Sequence, residues 1–408
     1  MSMSVPEIRS QFPILSRSVY GKPLVYLDNA ATAQRPLAVT GLWQKLALEE
    51  NANIHRAVHH LAAQATDAYE GARDVVKEFL HASAREEIIF TSGATASINL
   101  VAFSFGEAFV HEGDEIIVSV AEHHSNIVPW QLLCERKKAV LKVLDIRENG
   151  VLEVEDLEKL LSERTKIVAI SHISNVLGLV NPVREIVQIC HGKGIPVLVD
   201  GAQGIVHEPV DVQALDCDFY AFSGHKLYAA TGTGVLYGKR KWLEAMPPYM
   251  GGGEMIETVR FSGTTYAPLP EKFEAGTQNF NAAPTLVPAI EMVRAMRSDA
   301  SVEREQQAIL DYVYTKLTED ERIILYGTEK SAKIPLFSFG VKGAHHEDLA
   351  LIMDKMGVAL RSGQMCAEPL MDRLGVTGLL RASFAPYNTL EEAEYFIECL
   401  NKAINMLV

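Results

Sequence analysis

The sequence predicts an α/β protein with a mostly parallel sheet in a large domain, followed by a smaller α+β domain. Short apolar runs of strand length alternate with helical segments over the first two thirds of the chain, and each run ends in a polar cluster. From about residue 285 the pattern changes to longer helices around few strands. We expect a large domain at residues 21–284 and a small domain made of residues 1–20 and 285–408.

Composition narrows the classes of function. The 408 residues carry 38 basic and 52 acidic side chains, a net charge of −14, which argues against binding to nucleic acid or to acidic membranes. The N-terminus shows no signal peptide and no run is apolar enough for a membrane span, so we expect a cytoplasmic protein. Five cysteines without CxxC spacing indicate neither a disulfide framework nor a metal site.

The first elements are an amphipathic segment at residues 5–12, a strand from residue 24 that ends in small residues, and a helix around residues 42–48. The stretch Asn53-Ile54-His55-Arg56 follows. A lone histidine in such a place is more often a surface or structural residue than a functional one, so the position of His55 alone carries little weight.

A strand at residues 87–90 leads through the turn Thr91-Ser92-Gly93-Ala94-Thr95 into an apolar helix. Serine and threonine at such a start are usually simple helix caps. A glycine-containing turn at a helix N-terminus also offers free N–H groups to an anion, which makes Ala94 and Thr95 candidate phosphate-binding residues.

The same pattern of a strand followed by a polar loop occurs four more times, with strands at residues 115–120, 166–170, 195–199 and 219–222. Each is followed by polar residues, among them His123, Asn175, Asp200 and Lys226. Because parallel strands end at the same edge of a sheet, these side chains should share one rim.

Asp200 and Lys226 form the central pair. Lysine alone is most often a solvated surface residue. A lysine and an aspartate at neighbouring strand ends are, however, what pyridoxal phosphate requires: the lysine forms a Schiff base and the carboxylate keeps the pyridine nitrogen protonated. Nearby residues could complete such a site, with the ring face stacked on His123, the ring hydroxyl near Gln203, and the phosphate at Ser223 and His225.

The last third predicts one long helix from about residue 285 through 296 and on toward 317, a strand at 336–341, a helix at 348–356 and a final amphipathic helix at 390–407. The glycine-rich stretches 231–234 and 251–253 lack nucleotide-binding patterns and predict turns or mobile loops.

Cys366 differs from the other cysteines. Cys134, Cys190, Cys217 and Cys399 lie in apolar surroundings and are expected to be small buried side chains. Cys366 lies in a polar loop bounded by Gly363 and Pro369, where a thiolate could be exposed and nucleophilic.

Together these motifs resemble a SufS-type (group II) cysteine desulfurase, a member of the class V aminotransferase group, over nearly the whole chain. The matching stretches are Asp28-Asn29-Ala30-Ala31-Thr32, Asn53-Ile54-His55-Arg56, Thr91-Ser92-Gly93-Ala94-Thr95, Ala121-Glu122-His123-His124-Ser125-Asn126, Asp200-Gly201-Ala202-Gln203, Ser223-Gly224-His225-Lys226 and Arg361-Ser362-Gly363-Gln364-Met365-Cys366-Ala367. Two positions depart from the usual pattern: Met365 replaces a histidine and Ala96 replaces a glutamate.

The resemblance implies fold type I of the pyridoxal phosphate enzymes and a homodimer in which both chains contribute to each site. It implies that Lys226 binds the cofactor, His123 stacks on it, Asp200 and Gln203 hold the ring, and Thr277 reaches the phosphate from the other subunit. The phosphate ligands within the chain would be Ala94, Thr95, Ser223 and His225. The substrate-binding residues would be His55, Asn175, Arg361 and Arg381.

The implied reaction converts L-cysteine to L-alanine and leaves the sulfur on Cys366 as a persulfide. A SufE- or SufU-like acceptor would then take the sulfur toward iron–sulfur cluster assembly. A selenocysteine lyase acting on L-selenocysteine, another class V aminotransferase-like enzyme, and a non-catalytic subunit of a sulfur-transfer complex are the alternatives. A pure aminotransferase would have no use for Cys366, and a non-catalytic subunit would have no use for the lysine, aspartate and cysteine together.

Overall fold

The computed structural model describes residues 3–408 and contains a seven-stranded central sheet. The strands are β1 Ser18–Val19, β2 Lys22–Pro23, β3 Val25–Tyr26, β4 Ile88–Thr91, β5 Glu115–Ser119, β6 Val140–Leu144, β7 Thr165–Ser171, β8 Val197–Asp200, β9 Phe219–Ser223, β10 Gly234–Gly238, β11 Ile256–Arg260, β12 Gly263–Tyr266, β13 Ile323–Tyr326, β14 Leu336–Val341, β15 Val358–Ala359, β16 Arg361–Gly363 and β17 Leu379–Ser383.

The order in the central sheet is β4-β10-β9-β8-β7-β5-β6. Strand β10 runs antiparallel to both of its neighbours, and the other pairs are parallel. Except in the edge strand β6, which is partly exposed, successive residues of the strands alternate between two hydrophobic clusters, one on each face of the sheet. Burial on both faces explains why the strands are nearly continuous apolar runs in the sequence. The predicted α/β fold with a mostly parallel sheet is confirmed.

Helices cover both faces of this sheet and pack around the second sheet. They are α1 Val5–Ser10, α2 Leu37–Leu48, α3 His60–Phe79, α4 Ala94–Phe109, α5 Val128–Lys137, α6 Val154–Leu160, α7 Val183–Gly192, α8 Gly204–His207, α9 Val212–Leu215, α10 Arg240–Ala245, α11 Leu286–Arg297, α12 Ala300–Glu319, α13 His346–Lys355, α14 Glu368–Leu374 and α15 Leu390–Leu407. None of the helices in residues 3–408 combines the length and the apolar character that a membrane crossing requires.

The single long helix expected from residue 285 toward 317 was wrong, because the chain forms α11 and α12 with a break between them. Asp299 adopts an extended conformation, and its carboxylate accepts a hydrogen bond from the backbone N–H of Ser301 at 2.8 Å. An aspartate in this role starts a new helix. The apolar periodicity on both sides concealed the break.

A second, antiparallel sheet has the order β13-β14-β17-β16 and its own hydrophobic cluster with α12, α13 and α15. Strand β3 pairs with β15 beside this cluster, and Val25 and Leu27 pack into it, whereas Val5 and Phe12 of the N-terminal segment pack into the core of the large sheet. The division of the chain at residues 20 and 284 stays a prediction.

Strands β4, β5, β7, β8 and β9 all end at one edge of the central sheet, where their loops converge. The backbones approach closely where β10 begins beside the turn that follows β4, since a Cβ atom built on Gly234 would lie 2.4 Å from the Cα of Gly93. Only glycine fits there. The turn before α4 is thereby held against the start of β10, which pairs with Ser223 at the end of β9. Lys226 follows three residues after Ser223.

Candidate active site

A cavity of about 200 Å³ opens at this edge of the central sheet. All the predicted site residues except His55 and Thr277 line it. They are Ala94, Thr95, His123, Asn175, Asp200, Gln203, Ser223, His225, Lys226, Arg361, Cys366 and Arg381. Residues distant in the sequence therefore meet in one place, as the parallel strand order predicts.

Lys226 and Asp200 both line the cavity. Asp200 is 5% exposed, ends strand β8 and accepts a hydrogen bond from the backbone N–H of Ala202 at 2.9 Å. Burial lowers the pKa of Lys226 to about 8, although the charge of Asp200 opposes this shift. Burial raises the pKa of Asp200, and the charge of Lys226 opposes that shift in turn. A lysine of this kind is a usable nucleophile and base near neutral pH.

Gln203 and His123 flank this pair. The amide of Gln203 donates a 2.8 Å hydrogen bond to the carbonyl of Ala30. Nδ1 of His123 accepts the backbone N–H of Ser125 at 3.1 Å, which assigns the ring proton to Nε2. Burial and the nearby charge of Lys226 lower the pKa of His123 to about 3, so the imidazole is neutral.

The part of the cavity beside the start of α4 is suited to an anion. The backbone N–H of Ala94, the first residue of the sixteen-residue helix α4, donates to Oγ of Ser223 at 2.8 Å, and Thr95 follows at the helix start. His225 contacts Oγ1 of Thr32 at 3.1 Å, and burial lowers the pKa of His225 to about 4. Backbone N–H groups, hydroxyls and the positive end of a helix dipole are typical of a phosphate site.

Arg381 supplies a buried positive charge. Its Nη2 donates to Oδ1 of Asp28 at 3.1 Å, and its Nη1 donates to the carbonyl of Asn175 at 2.8 Å. Its Nε is buried and has no hydrogen-bond partner in residues 3–408. A buried polar group without a partner is costly, and Arg381 lines the cavity, so its guanidinium is suited to a ligand with a carboxylate.

Cys366 lies on the other side of the cavity and is the one cysteine of residues 3–408 that is not fully buried. The loop that carries it is anchored. Met365 is only 3% exposed and belongs to the large hydrophobic core, and its carbonyl accepts the amide of Asn175 at 2.9 Å. The methionine in place of the usual histidine thus serves as an apolar anchor for the loop.

His55 and Thr277 do not line this cavity. His55 is exposed, and its Nε2 lies 3.2 Å from Oε1 of Glu70, which raises the pKa of the imidazole. Thr277 is exposed and lines a separate cavity beside α4. Their functional roles stay predictions.

The sequence interpretation did not single out two acidic residues that lie behind the cavity lining, Asp28 and Glu122. Asp28, the charge partner of Arg381, was quoted only as part of a matching stretch, and its position directly after a strand was the available signal. Glu122 is fully buried beside His123 and accepts hydrogen bonds from Ser119 at 2.6 Å and Asn126 at 2.8 Å; burial raises its pKa to about 7. No pattern in a single sequence distinguishes such a buried glutamate from an exposed one.

Comparison with known proteins points to one family. The family model described as Aminotransferase class-V matches residues 25–396. A "Probable cysteine desulfurase" of Vibrio cholerae serotype O1 is 46% identical over 407 residues and covers 100% of both chains. One of Halalkalibacterium halodurans is 47% identical and covers 98% of both. The crystal structure of the cysteine desulfurase CsdA from Escherichia coli superposes with a TM-score of 0.91 at 39% identity, over 100% of both chains. The predicted resemblance is confirmed, and the chain belongs to the class V aminotransferase family and, within it, to the cysteine desulfurases.

Proposed function

We propose that this protein is a pyridoxal phosphate-dependent cysteine desulfurase that converts L-cysteine to L-alanine and carries the sulfur as a persulfide on Cys366. The observation that carries the proposal is that a buried aspartate, a lysine of lowered pKa and the one accessible cysteine of residues 3–408 line a single cavity. An aminotransferase needs the first two of these groups, and only sulfur chemistry needs the third.

The donor set of the cavity fits the cofactor. Lys226 would bind the aldehyde carbon, and Asp200 would pair with the ring nitrogen. His123, neutral and buried, would cover the ring face. The backbone of Ala94 and the side chains of Thr95, Ser223 and His225 would hold the phosphate at the start of α4.

The substrate carboxylate would bind Arg381, whose Nε is free to donate, with Arg361 and the amide of Asn175 close by. Arginine suits this role because its planar fork matches the two oxygens of a carboxylate. Pairing of Arg381 with Asp28 fixes the orientation of the guanidinium before substrate arrives.

Pyridoxal phosphate, when bound, supplies an electron sink that weakens the Cα–H and Cβ–S bonds of an attached amino acid. Lys226 would take the proton from Cα and return one later, a task for which a pKa of about 8 is suitable. The thiolate of Cys366 would bond to the substrate sulfur as the Cβ–S bond breaks. The electron pair of that bond stays with carbon, which is protonated and leaves as L-alanine.

The proposal includes a homodimer and a protein acceptor. Thr277 lies outside the cavity of its own chain, which fits a role at the phosphate of a partner chain. Cys366 is partly accessible, so a SufE- or SufU-like acceptor could reach its persulfide and pass the sulfur toward iron–sulfur cluster assembly.

The test is to load the purified protein with pyridoxal phosphate and measure alanine release from L-cysteine, L-selenocysteine and L-serine. We expect alanine from L-cysteine together with a mass increase of one sulfur atom on the Cys366 peptide, and none from L-serine, which has no sulfur to transfer. Alanine from L-selenocysteine alone would replace the desulfurase assignment with selenocysteine lyase.

A further inference from the structure

The backbone around the candidate nucleophile has an unusual conformation. Met365 and Cys366 both have φ near 55°, in the left-handed region that residues with a side chain adopt at an energetic cost. Two such residues in succession, neither of them glycine, persist only when their surroundings hold them. The contacts that hold them therefore determine where the thiol lies.

Four contacts anchor this turn besides the hydrogen bond from Asn175. The side chain of Met365 is buried, and the N–H of Ala367 donates to the carbonyl of Gln364 at 3.0 Å. The other two contacts come from one residue: the N–H of His124 donates to the carbonyl of Cys366 at 2.7 Å, and Nε2 of His124 accepts the N–H of Glu368 at 3.0 Å. His124 therefore binds the chain both at the cysteine and two residues beyond it.

His124 also belongs to the short helical turn His124–Asn126, which follows strand β5 and starts directly after His123. Nδ1 of His123 lies 2.8 Å from Oγ of Ser125 in the same turn. The residue expected to cover the cofactor and the residue that anchors the thiol loop are thus neighbours on one rigid segment at the end of the central sheet.

We propose that His124 is a positioning residue that holds the Cys366 thiol at the cavity by accepting the N–H of Glu368 through Nε2. The inference rests on the proposed function, because its consequence for turnover requires that Cys366 react with the substrate. Acceptance at Nε2 places the ring proton on Nδ1, so His124 acts here as a neutral hydrogen-bond acceptor.

The test compares His124→Leu with His124→Gln. Leucine keeps the backbone bond to Cys366 and removes the acceptor, whereas glutamine places an amide oxygen near the position of Nε2. Loss of one hydrogen bond of ordinary strength corresponds to a factor of about two to ten. We expect His124→Leu to lower kcat by that factor and to leave KM for L-cysteine and the cofactor absorbance unchanged. The same variant should increase the rate at which iodoacetamide alkylates Cys366, because the loosened loop exposes the thiol. His124→Gln should restore most of both properties.

His111→Leu is the matched control, because its side chain is 80% exposed and lies away from the Cys366 loop; both readouts should match the wild type. Equal kcat and alkylation rates in His124→Leu and the wild type would overturn the proposal, and so would a His124→Gln variant as impaired as His124→Leu. If the wild-type protein released no alanine at all, the proposed function would fail, while the alkylation rates would still decide whether His124 positions the loop.

Discussion

The two walls of the cavity are built in different ways. The inner wall consists of Asp200, Gln203, Ser223 and Lys226, at or just after the ends of β8 and β9. The outer wall consists of Arg361 on β16, Cys366 in the loop between β16 and α14, and Arg381 on β17. Strands buried along their whole length fix the inner wall. On the outer wall β17 is also buried along its whole length, but β16 is only half-buried. This wall therefore depends more on individual contacts, such as those of Asn175 with Met365 and of Asp28 with Arg381.

The difference extends to the electrostatics. Burial is the largest cause of the pKa shifts of Asp200 and Lys226, so the protonation states of the inner wall follow from its depth. On the outer wall burial also lowers the pKa of Arg381, but the charge of Asp28 opposes this shift and its carboxylate holds the guanidinium; Cys366 is held by the geometry of its turn. Burial thus sets the protonation states of the inner wall, whereas specific contacts set the positions of the reacting groups on the outer wall. Mutations in the two walls should separate cofactor binding from sulfur transfer.

The largest effect is expected for Lys226→Ala. Loss of the amine removes the covalent attachment of the cofactor and the base that moves the proton, so turnover and the visible absorbance of bound pyridoxal phosphate should both disappear. Lys333→Arg is the control at a second buried lysine. Burial also lowers the pKa of Lys333, to about 7, but the amine of Lys333 donates hydrogen bonds to the carbonyls of Leu177 and Gly327. A Lys226→Ala protein that still showed the absorbance and released alanine would disprove the assignment.

Cys366→Ala should separate the two walls. The inner wall is intact in this variant, so cofactor absorbance and its change on adding L-cysteine should remain, whereas alanine release from L-cysteine should fall by orders of magnitude because no thiol accepts the sulfur. Cleavage of L-selenocysteine should be less affected, since selenium leaves more readily. Cys134→Ala provides the control at a buried cysteine. Unchanged alanine release by Cys366→Ala, with a persulfide on another cysteine, would contradict the proposal.

The sequence predicted the inner wall better than the outer one for a physical reason. Buried parallel strands are recognisable in the sequence as apolar runs, and parallel order brings their ends to one edge of the sheet. Asp200 and Lys226 could therefore be placed together from the pattern of apolar runs and helical segments. Strand β10 was missed, because a five-residue segment that begins and ends with glycine looks like a turn, and its antiparallel insertion between β4 and β9 leaves no local signal.

The outer wall depends on contacts between residues far apart in the chain. The sequence around these residues does not indicate that Asp28 pairs with Arg381, or that Met365 is buried and has a left-handed backbone conformation. The sequence indicated only a polar loop around Cys366, whereas three hydrogen bonds from Asn175, His124 and Glu368 anchor it. The residue types of this wall came from the resemblance to a family, and its geometry came only from the structure.

Thr277→Ala tests whether the inner wall is complete within one chain. If Thr277 reaches the phosphate of a partner chain, loss of its hydroxyl should weaken cofactor retention by about 1.5–3 kcal/mol, the value of a hydrogen bond to a charged group. The measurement is cofactor release on dilution, with sedimentation at the same protein concentrations. Thr315→Ala, at an exposed threonine of α12, is the control and should retain the cofactor as the wild type does. Full activity and full cofactor retention in a monomer would contradict the shared site.

The smallest effect concerns pH and tests whether burial controls the inner wall. Only the neutral amine of Lys226 can attack the cofactor aldehyde. With a pKa of about 8 the neutral fraction, and with it the rate of cofactor capture by the cofactor-free protein, should rise roughly tenfold from pH 7 to 9 and then level off. His123 and His225, with pKa values of about 3 and 4, stay neutral throughout this window and add no titration of their own. Stopped-flow absorbance would follow the capture, with N-acetyl-lysine methylamide as the reference amine, whose rate should keep rising beyond pH 9. A protein rate that rises just as steeply between pH 9 and 10 would show that Lys226 is solvated, and that burial does not set the chemistry of this wall.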